Sequence, residues 1–356
     1  MKNHKTIGML FLLFVIFSFA FVGYIFQSLN NTKSKLQVHF LDVGQGDAIL
    51  IQVGNSNSML IDSGPQNEKV ISEIQKFKNI FDRNLNILLA THADADHIGS
   101  MKKVIEKFGF QRFTFSGLSS ETKIFKDLMT SIGDTDLIAK LKEKNIHDTS
   151  PQMHQRLLTL TAGMSIVLDQ QDNVHFDVLF PDFDFQIEAY QKCKNGMQNK
   201  NESSGQNKIK SKTISKTQKR NPCLKFLSTE TNLNSVVGKL TFGSTSFILT
   251  GDAPIEVEDF IIKKYGERIH ADVLKLGHHG SKTSTSPNFL NVVSPNFAVI
   301  SAGIGNRYNH PHKIVLDNLN AFKEKDSNFR RTLRTDIDGT ISFYSDAKNL
   351  TIKTSK

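Results

Sequence analysis

The chain has 356 residues, 38% of them hydrophobic and 22% charged, enough for one large folded domain with appendages and too apolar for a disordered protein. Its formal net charge of +9 suggests a nucleic-acid binder until the charge is located. Residues 191–225 hold ten basic side chains against the single acid Glu202, which accounts for the whole +9, so the basicity belongs to one segment and excludes a uniformly basic fold.

The first element is apolar. Residues 7–26 carry no charge, with Lys2 and Lys5 before them and Lys33 and Lys35 after. Roughly 20 apolar residues suffice to cross a bilayer. A cleaved secretory signal also begins basic and then apolar, but its core is usually about 7–15 residues, and Ser18 and Ala20 make a mediocre cleavage site. The expectation is an uncleaved single-pass anchor, with a secreted protein as the alternative if the segment is removed. Either way the globular part is exported. Residues 1–35 are read as anchor and linker, and residues 36–356 as one globular domain.

Short apolar runs separated by turns follow: 36–41, 48–53, 59–61 and 87–90 read as strands, with Gly44, Gly46, Gly54 and Gly64 at the turns. Val70, Ile71, Ile74 and Phe77 fall at helical spacing. The second half repeats the pattern, with strands at 235–240, 246–249, 271–276 and 297–300. Helices are expected near 254–264 and 314–322, and two closing strands around Arg334 and 340–344. Between about 186 and 231 the periodicity disappears into Lys, Asn, Ser, Gln and Thr, which reads as a low-complexity basic insertion. Cys193 and Cys223 bracket it and stand either as a disulfide closing this loop in an oxidising compartment or as two free thiols.

The strand at 87–90 feeds the run Thr91-His92-Ala93-Asp94-Ala95-Asp96-His97. Two His and two Asp interleaved with alanine cannot form a core, because buried unpaired carboxylates cost several kcal/mol each. A divalent cation resolves the conflict, binding imidazole nitrogen and carboxylate oxygen and cancelling their charge. The alternative is a solvated acidic turn. Asp252, His278 with His279, and His310 with His312 likewise lie just past apolar runs, where open α/β sheets bind ligands.

The run resembles the histidine/aspartate signature of the metallo-β-lactamase superfamily, and its His-x-Asp-x-Asp-His-x-Gly form resembles the hydrolase domain of the ComEC family of competence channel proteins. Further segments agree in order: Phe40 to Ala48, Leu60 to Gly64, Leu249 to Asp252, Gly277 to Ser284, Asn306 to His312 and Thr335 to Gly339. The resemblance implies a mixed α/β, four-layer αββα sandwich. It implies two divalent metals, zinc first and manganese as the alternative: His92 and Asp94 on one, Asp96 and His97 on the other, Asp252 bridging, and His278 or His279 completing the set. His310 and His312 are further ligands or substrate contacts, and Asp62, Asp42 and Asp47 would stand behind the ligands to orient them. Two departures bear on the metals. Asp94 stands where many members have His, which makes the site harder and more anionic. The stretch 231–235, where many members carry a ligand His, has Asn232 and Asn234 instead.

The implied reaction is hydrolysis by a metal-activated water, with Asp96 or Asp252 orienting the water and Lys282 or a distal His assisting the leaving group; Lys282 reads equally as a solvated loop residue. A carboxylate-rich site suits phosphodiesters, and the resemblance points to extracytoplasmic DNA. Two alternatives stand beside it: a surface phosphodiesterase acting on choline-phosphate or envelope polymers, and a non-catalytic DNA-binding or assembly module. With one candidate span, a role in DNA uptake would need a separate channel protein as partner. The lysines of the insertion lack interleaved aromatics, so they offer phosphate attraction without a stacking platform.

Overall fold

The computed structural model describes residues 36–54, 57–78, 84–117, 120, 122–132, 157–188, 191 and 231–356, together with 15 and 17–22. The expected anchor lies largely outside them, although 17–22 are helical; among the described residues no helix is long and apolar enough to cross a membrane. Cys193, Cys223 and nearly all of the insertion also lie outside the described residues.

In chain order the strands of the first half are β1 (Leu36–Phe40), β2 (Ile49–Val53), β3 (Asn57–Ile61), β4 (Leu85–Ala90), β5 (Phe110–Phe115) and β6 (Leu157–Thr159). Those of the second half are β7 (Ser165–Asp169), β8 (Val174–Phe180), β9 (Val237–Phe242), β10 (Thr245–Leu249), β11 (Val273–Lys275), β12 (Phe297–Ile300) and β13 (Arg331–Arg334). The chain closes with β14 (Ile341–Ser345) and β15 (Leu350–Thr354). They form an eight-stranded sheet, β15-β14-β1-β2-β3-β4-β5-β6, and a seven-stranded one, β13-β12-β11-β10-β9-β8-β7. The last two strands return to the first sheet, where β14 pairs antiparallel with β1.

Period-two alternation divides the apolar residues between two faces. Val38, Ile51, Met59 and Ile61 of the first sheet meet Phe176, Leu240, Phe247, Val273 and Val299 of the second in one shared core. Their outward-facing neighbours are covered by helices. Leu50 and Leu60 pack with α1 (Lys69–Phe77), α3 (Met101–Phe108) and α4 (Lys123–Ile132), while the four-residue α2 (Ala95–Ile98) caps the end of β4. Ile248, Ala298 and Ile300 pack with α5 (Ile255–Tyr265), α6 (Pro287–Val293) and α7 (Lys313–Lys325). The result is the expected layering of helices, two sheets and helices.

Direction within the sheets sets the site. β3, β4, β5 and β6 run parallel, as do β10, β11, β12 and β13. The residues that follow β3, β4, β10, β11 and β12 therefore emerge at carboxyl ends, and the hydrogen bonds below join the two groups. These are the positions of Asp62, the His/Asp run, Asp252, His278 with His279, and Ser301.

Candidate metal centre

The turn after β4 is built around one buried carboxylate. Asp62 accepts hydrogen bonds from the Thr91 backbone N–H (2.8 Å) and the Thr91 hydroxyl (2.7 Å), and its Oδ2 lies 2.7 Å from His97 Nδ1. This leaves His97 Nε2 to point away from Asp62, 3.3 Å from Asp252 Oδ1. The loop between β1 and β2 presses on the same turn: the Asp47 N–H donates to the Asp96 carbonyl at 3.2 Å. Gly46 makes that approach possible, since with φ +135° a Cβ there would fall 2.1 Å from the Asp96 carbonyl oxygen.

From the second sheet, Asp252 follows β10 and is fixed by its N–H donating to Ser235 Oγ at 3.1 Å. Past β11, His278 and His279 both adopt left-handed backbone (φ 48° and 56°), a conformation costing of order 1–3 kcal/mol per non-glycine residue. The turn aims the two rings differently. His279 is buried, with Nδ1 3.0 Å from the Ser301 carbonyl and Nε2 3.4 Å from Asp96 Oδ2 and 3.5 Å from Asp252 Oδ2. The His278 side chain is 28% exposed, with Nε2 3.8 Å from Asp252 Oδ2. His92 keeps Nδ1 near the Thr91 (3.0 Å) and Ser235 (3.3 Å) hydroxyls and turns Nε2 toward Asp94 Oδ2 at 3.7 Å.

One pattern runs through the three buried rings. Each has Nδ1 anchored, while His92 Nε2, His97 Nε2, His279 Nε2 and Asp252 Oδ1 are buried with no hydrogen-bond partner. Buried polar atoms left without partners are costly, and an anchored Nδ1 with a free Nε2 is how metal-ligating imidazoles are held. Ligand atoms of Asp47, His97, Asp252 and His279 all lie within 4.8 Å of one another. Asp96 faces the same space with its side chain 31% exposed, which opens the cluster to solvent. The donor set fits divalent metals.

The electrostatics agree. Burial resists the charge on Asp252, but His279 and His97 overcome it and hold the carboxyl well below its usual range. Burial likewise opposes ionisation of Asp96, and His279 and His97 bring it down to about 2. Burial would lower His279, but Asp252 and Asp47 raise it to about 9, and His97 is raised well above its ordinary value by Asp252 and Asp62 against the same penalty. Five carboxylates, Asp47, Asp62, Asp94, Asp96 and Asp252, surround these rings. Such a site holds cations in one form or another, as imidazole protons or as metal.

Sequence reasoning missed Lys275. Fully buried at the end of β11, its ammonium pairs with Asp47 Oδ2, lies 3.8 Å from Asp252 Oδ1 and donates to the Gly251 carbonyl at 2.8 Å. The signal was a lysine inside the apolar run Val273-Leu274-Lys275-Leu276. Asp47 thus falls inside the cluster by distance, but one of its oxygens is committed to Lys275. Glu258 also escaped notice: buried on α5, it accepts the backbone N–H groups of Thr285 and Ser286 and so ties down the segment after the His278/His279 turn.

The remaining candidates are spread around this centre. Asp42 receives Lys69 (3.0 Å) and Lys356 (3.2 Å) and joins the first loop to α1 and the carboxyl terminus. Asn234 is buried beside Ser235, and the Asn232 amide lies 3.4 Å from His278 Nδ1. His310 is buried with its ring 5.5 Å from His278 and 6.3 Å from His279. His312 opens α7 and accepts the Lys282 backbone N–H at 3.0 Å, and the Lys282 side chain is exposed.

Parts of the chain are similar to known proteins. Residues 41–123 match the model of the metallo-beta-lactamase superfamily. ComE operon protein 3 of Bacillus subtilis is 28% identical over 330 residues, covering 87% of this chain and 33% of that protein. Competence protein ComA of Neisseria gonorrhoeae is 40% identical over 112 residues, covering 32% of this chain and 15% of that protein. The chain therefore spans about a third or less of the length of these curated relatives. Among solved structures, Igni18, a metallo hydrolase of Ignicoccus hospitalis, is 13% identical with a TM-score of 0.42, covering 86% of this chain and 98% of that one. Residues 41–123 thus match the metallo-β-lactamase superfamily pattern, the chain is similar to part of these competence proteins, and its buried Asp/His cluster has the donors to hold a metal ion.

Proposed function

We propose that this chain is a phosphodiesterase that hydrolyses DNA outside the cytoplasm, tethered through residues 7–26 and working beside a separate DNA-uptake channel protein. The observation that carries this reading is the donor chemistry of the centre: Asp96 and Asp252 stand with His97 and His279, and Asp94 stands with His92. Carboxylate oxygens and imidazoles together suit divalent cations, with a pair of zinc or manganese ions as the candidates. The relation to competence proteins supports DNA as the diester.

His97, His279, Asp96 and Asp252 would hold one ion, and His92 with Asp94 would help to hold a second. When bound, such ions supply Lewis acidity toward a phosphoryl oxygen and an acidified water. The protein's own groups do the positioning. Asp62 and the Ser301 carbonyl hold the rings of His97 and His279, so that both Nε2 atoms face one space. Asp96 is the cluster's part-exposed carboxylate and is ionised at neutral pH, so it can orient an incoming water. Burial and the neighbouring His279 hold His310 down at about 4, so it is a neutral imidazole at pH 7 beside the substrate space.

Turnover of single-stranded DNA, duplex DNA, bis-p-nitrophenyl phosphate and a phosphorylcholine ester by the purified full chain, in Zn²⁺ or Mn²⁺, tests the substrate. DNA and the small diester are expected to be cleaved. Cleavage of the small diester with DNA left intact would sink the nuclease reading, and preference for the phosphorylcholine ester would favour an envelope substrate.

A further inference from the structure

The segment Asn306-Arg307-Tyr308-Asn309 ends on His310 and so leads into the metal centre. The Arg307 guanidinium lies over the Tyr308 ring, 4.8 Å from its centroid, and one of its nitrogens donates to the Tyr308 hydroxyl at 2.5 Å. Tyr308 stacks on His310 at 5.6 Å with an interplanar angle of 24°. His310 in turn meets His278 and His279, whose Nε2 atoms face Asp252. A ladder of planar groups thus runs from the buried centre to solvent, with Tyr308 45% exposed and Arg307 exposed at its outer end.

The loop that presents this outer end is pinned. The Asn306 side-chain amide donates to the Gly303 (3.0 Å) and His310 (2.6 Å) carbonyls, and its oxygen accepts the Tyr308 (3.2 Å) and His310 (3.0 Å) N–H groups. The Gly303 N–H donates to Gln45 Oε1 at 3.1 Å, which fastens the loop to the β1–β2 segment beside Asp47. Among the described residues no carboxylate lies within ion-pair distance of Arg307, so its exposed guanidinium closes the outer end of the ladder on a fixed loop.

We propose that Arg307 and Tyr308 form a nucleotide-binding platform that stacks a base of single-stranded DNA next to the phosphodiester at the metal centre. The inference rests on the reading of the substrate as DNA and adds which form of it is preferred. A guanidinium over an aromatic ring is a stacking surface with a positive charge: it takes the π-face of any base and attracts the neighbouring phosphate. In a duplex both faces of a base are already covered by its neighbours, so the platform selects a strand whose bases are free. The lysine-rich stretch 191–225 has no aromatics and adds only charge, whereas this loop supplies the stacking element beside the chemistry.

The test compares wild type, Tyr308→Leu, Tyr308→Phe and Arg307→Ala, each as the full chain. Affinity for a fluorescent oligothymidylate and for an abasic strand of equal length is measured on chelator-treated protein by anisotropy, and KM for the oligothymidylate on metal-loaded protein. Wild type is expected to bind the base-bearing strand about tenfold more tightly than the abasic one, the size of one base on an aromatic platform. Tyr308→Leu brings this ratio near one and raises KM by a similar factor, Tyr308→Phe retains the ratio, and Arg307→Ala weakens both strands. Equal ratios for wild type and Tyr308→Leu, with DNA still cleaved, would overturn the platform alone. A wild type that neither binds nor cleaves DNA would remove the nuclease reading with it.

Discussion

Replacing Lys275 by Met is expected to cost roughly 3–5 kcal/mol of folding stability in the metal-free protein, because removing one partner of a buried ion pair leaves the other charge uncompensated. Lys275 is fully buried between Asp47 and Asp252 and holds the Gly251 carbonyl, so methionine fills the space but removes a cation from beside both carboxylates and the donor to the carbonyl. The measurement is urea unfolding of the chelator-treated chain. The double variant Lys275→Met with Asp47→Asn should recover part of the loss, since the pair is coupled. A single-variant loss below about 1 kcal/mol, the worth of an exposed pair, would show that the contact is not buried in solution.

Asp252→Asn should abolish most of the hydrolysis. Asp252 is where the two halves meet, with His97 Nε2 3.3 Å and His279 Nε2 3.5 Å from its carboxylate. An amide keeps the shape but removes the charge that draws a divalent ion to this point. Metal-ion catalysis is worth several kcal/mol at the transition state. A loss of about a thousandfold in kcat is therefore expected, roughly 4 kcal/mol at 1.36 kcal/mol per decade. Metal content measured on the same sample separates this from misfolding: the variant should hold less metal and keep its fold. Full metal occupancy together with unaltered kcat would remove Asp252 from the centre.

Much of this was legible because local pattern and chemistry agreed. The strand before His92 was expected at 87–90 and spans Leu85–Ala90, and the helix expected near 254–264 spans Ile255–Tyr265. Both have long apolar periods with clear turn residues at their ends. The stretch from 110 to 180 carries no comparable pattern: its β5, β6, β7 and β8 are strands of three to seven residues without strong punctuation.

Other features depend on contacts that no local pattern records. That β14 and β15 return to the first sheet is decided by pairing of Phe40 with Ile341 across the chain. Sequence left His278 and His279 equivalent. The left-handed turn separates them, burying His279 against Asp96 and Asp252 and leaving His278 part-exposed. Lys275 was read as one member of an apolar strand, because its partner Asp47 lies on the loop after β1, in the other half of the chain. The stacked ladder from Arg307 to His279 was hidden for the same reason: the motif was visible, but not what its rings touch.

The most direct measurement is DNA cleavage by chelator-stripped full chain before and after Mn²⁺ or Zn²⁺ is returned, run beside His279→Ala. A metal-dependent nuclease centred on His97, His279, Asp96 and Asp252 predicts no cleavage without metal, recovery on its return, and no recovery in the variant. Cleavage that survives chelation, or a variant that recovers as fully as wild type, would contradict the assignment of this cluster as the catalytic centre.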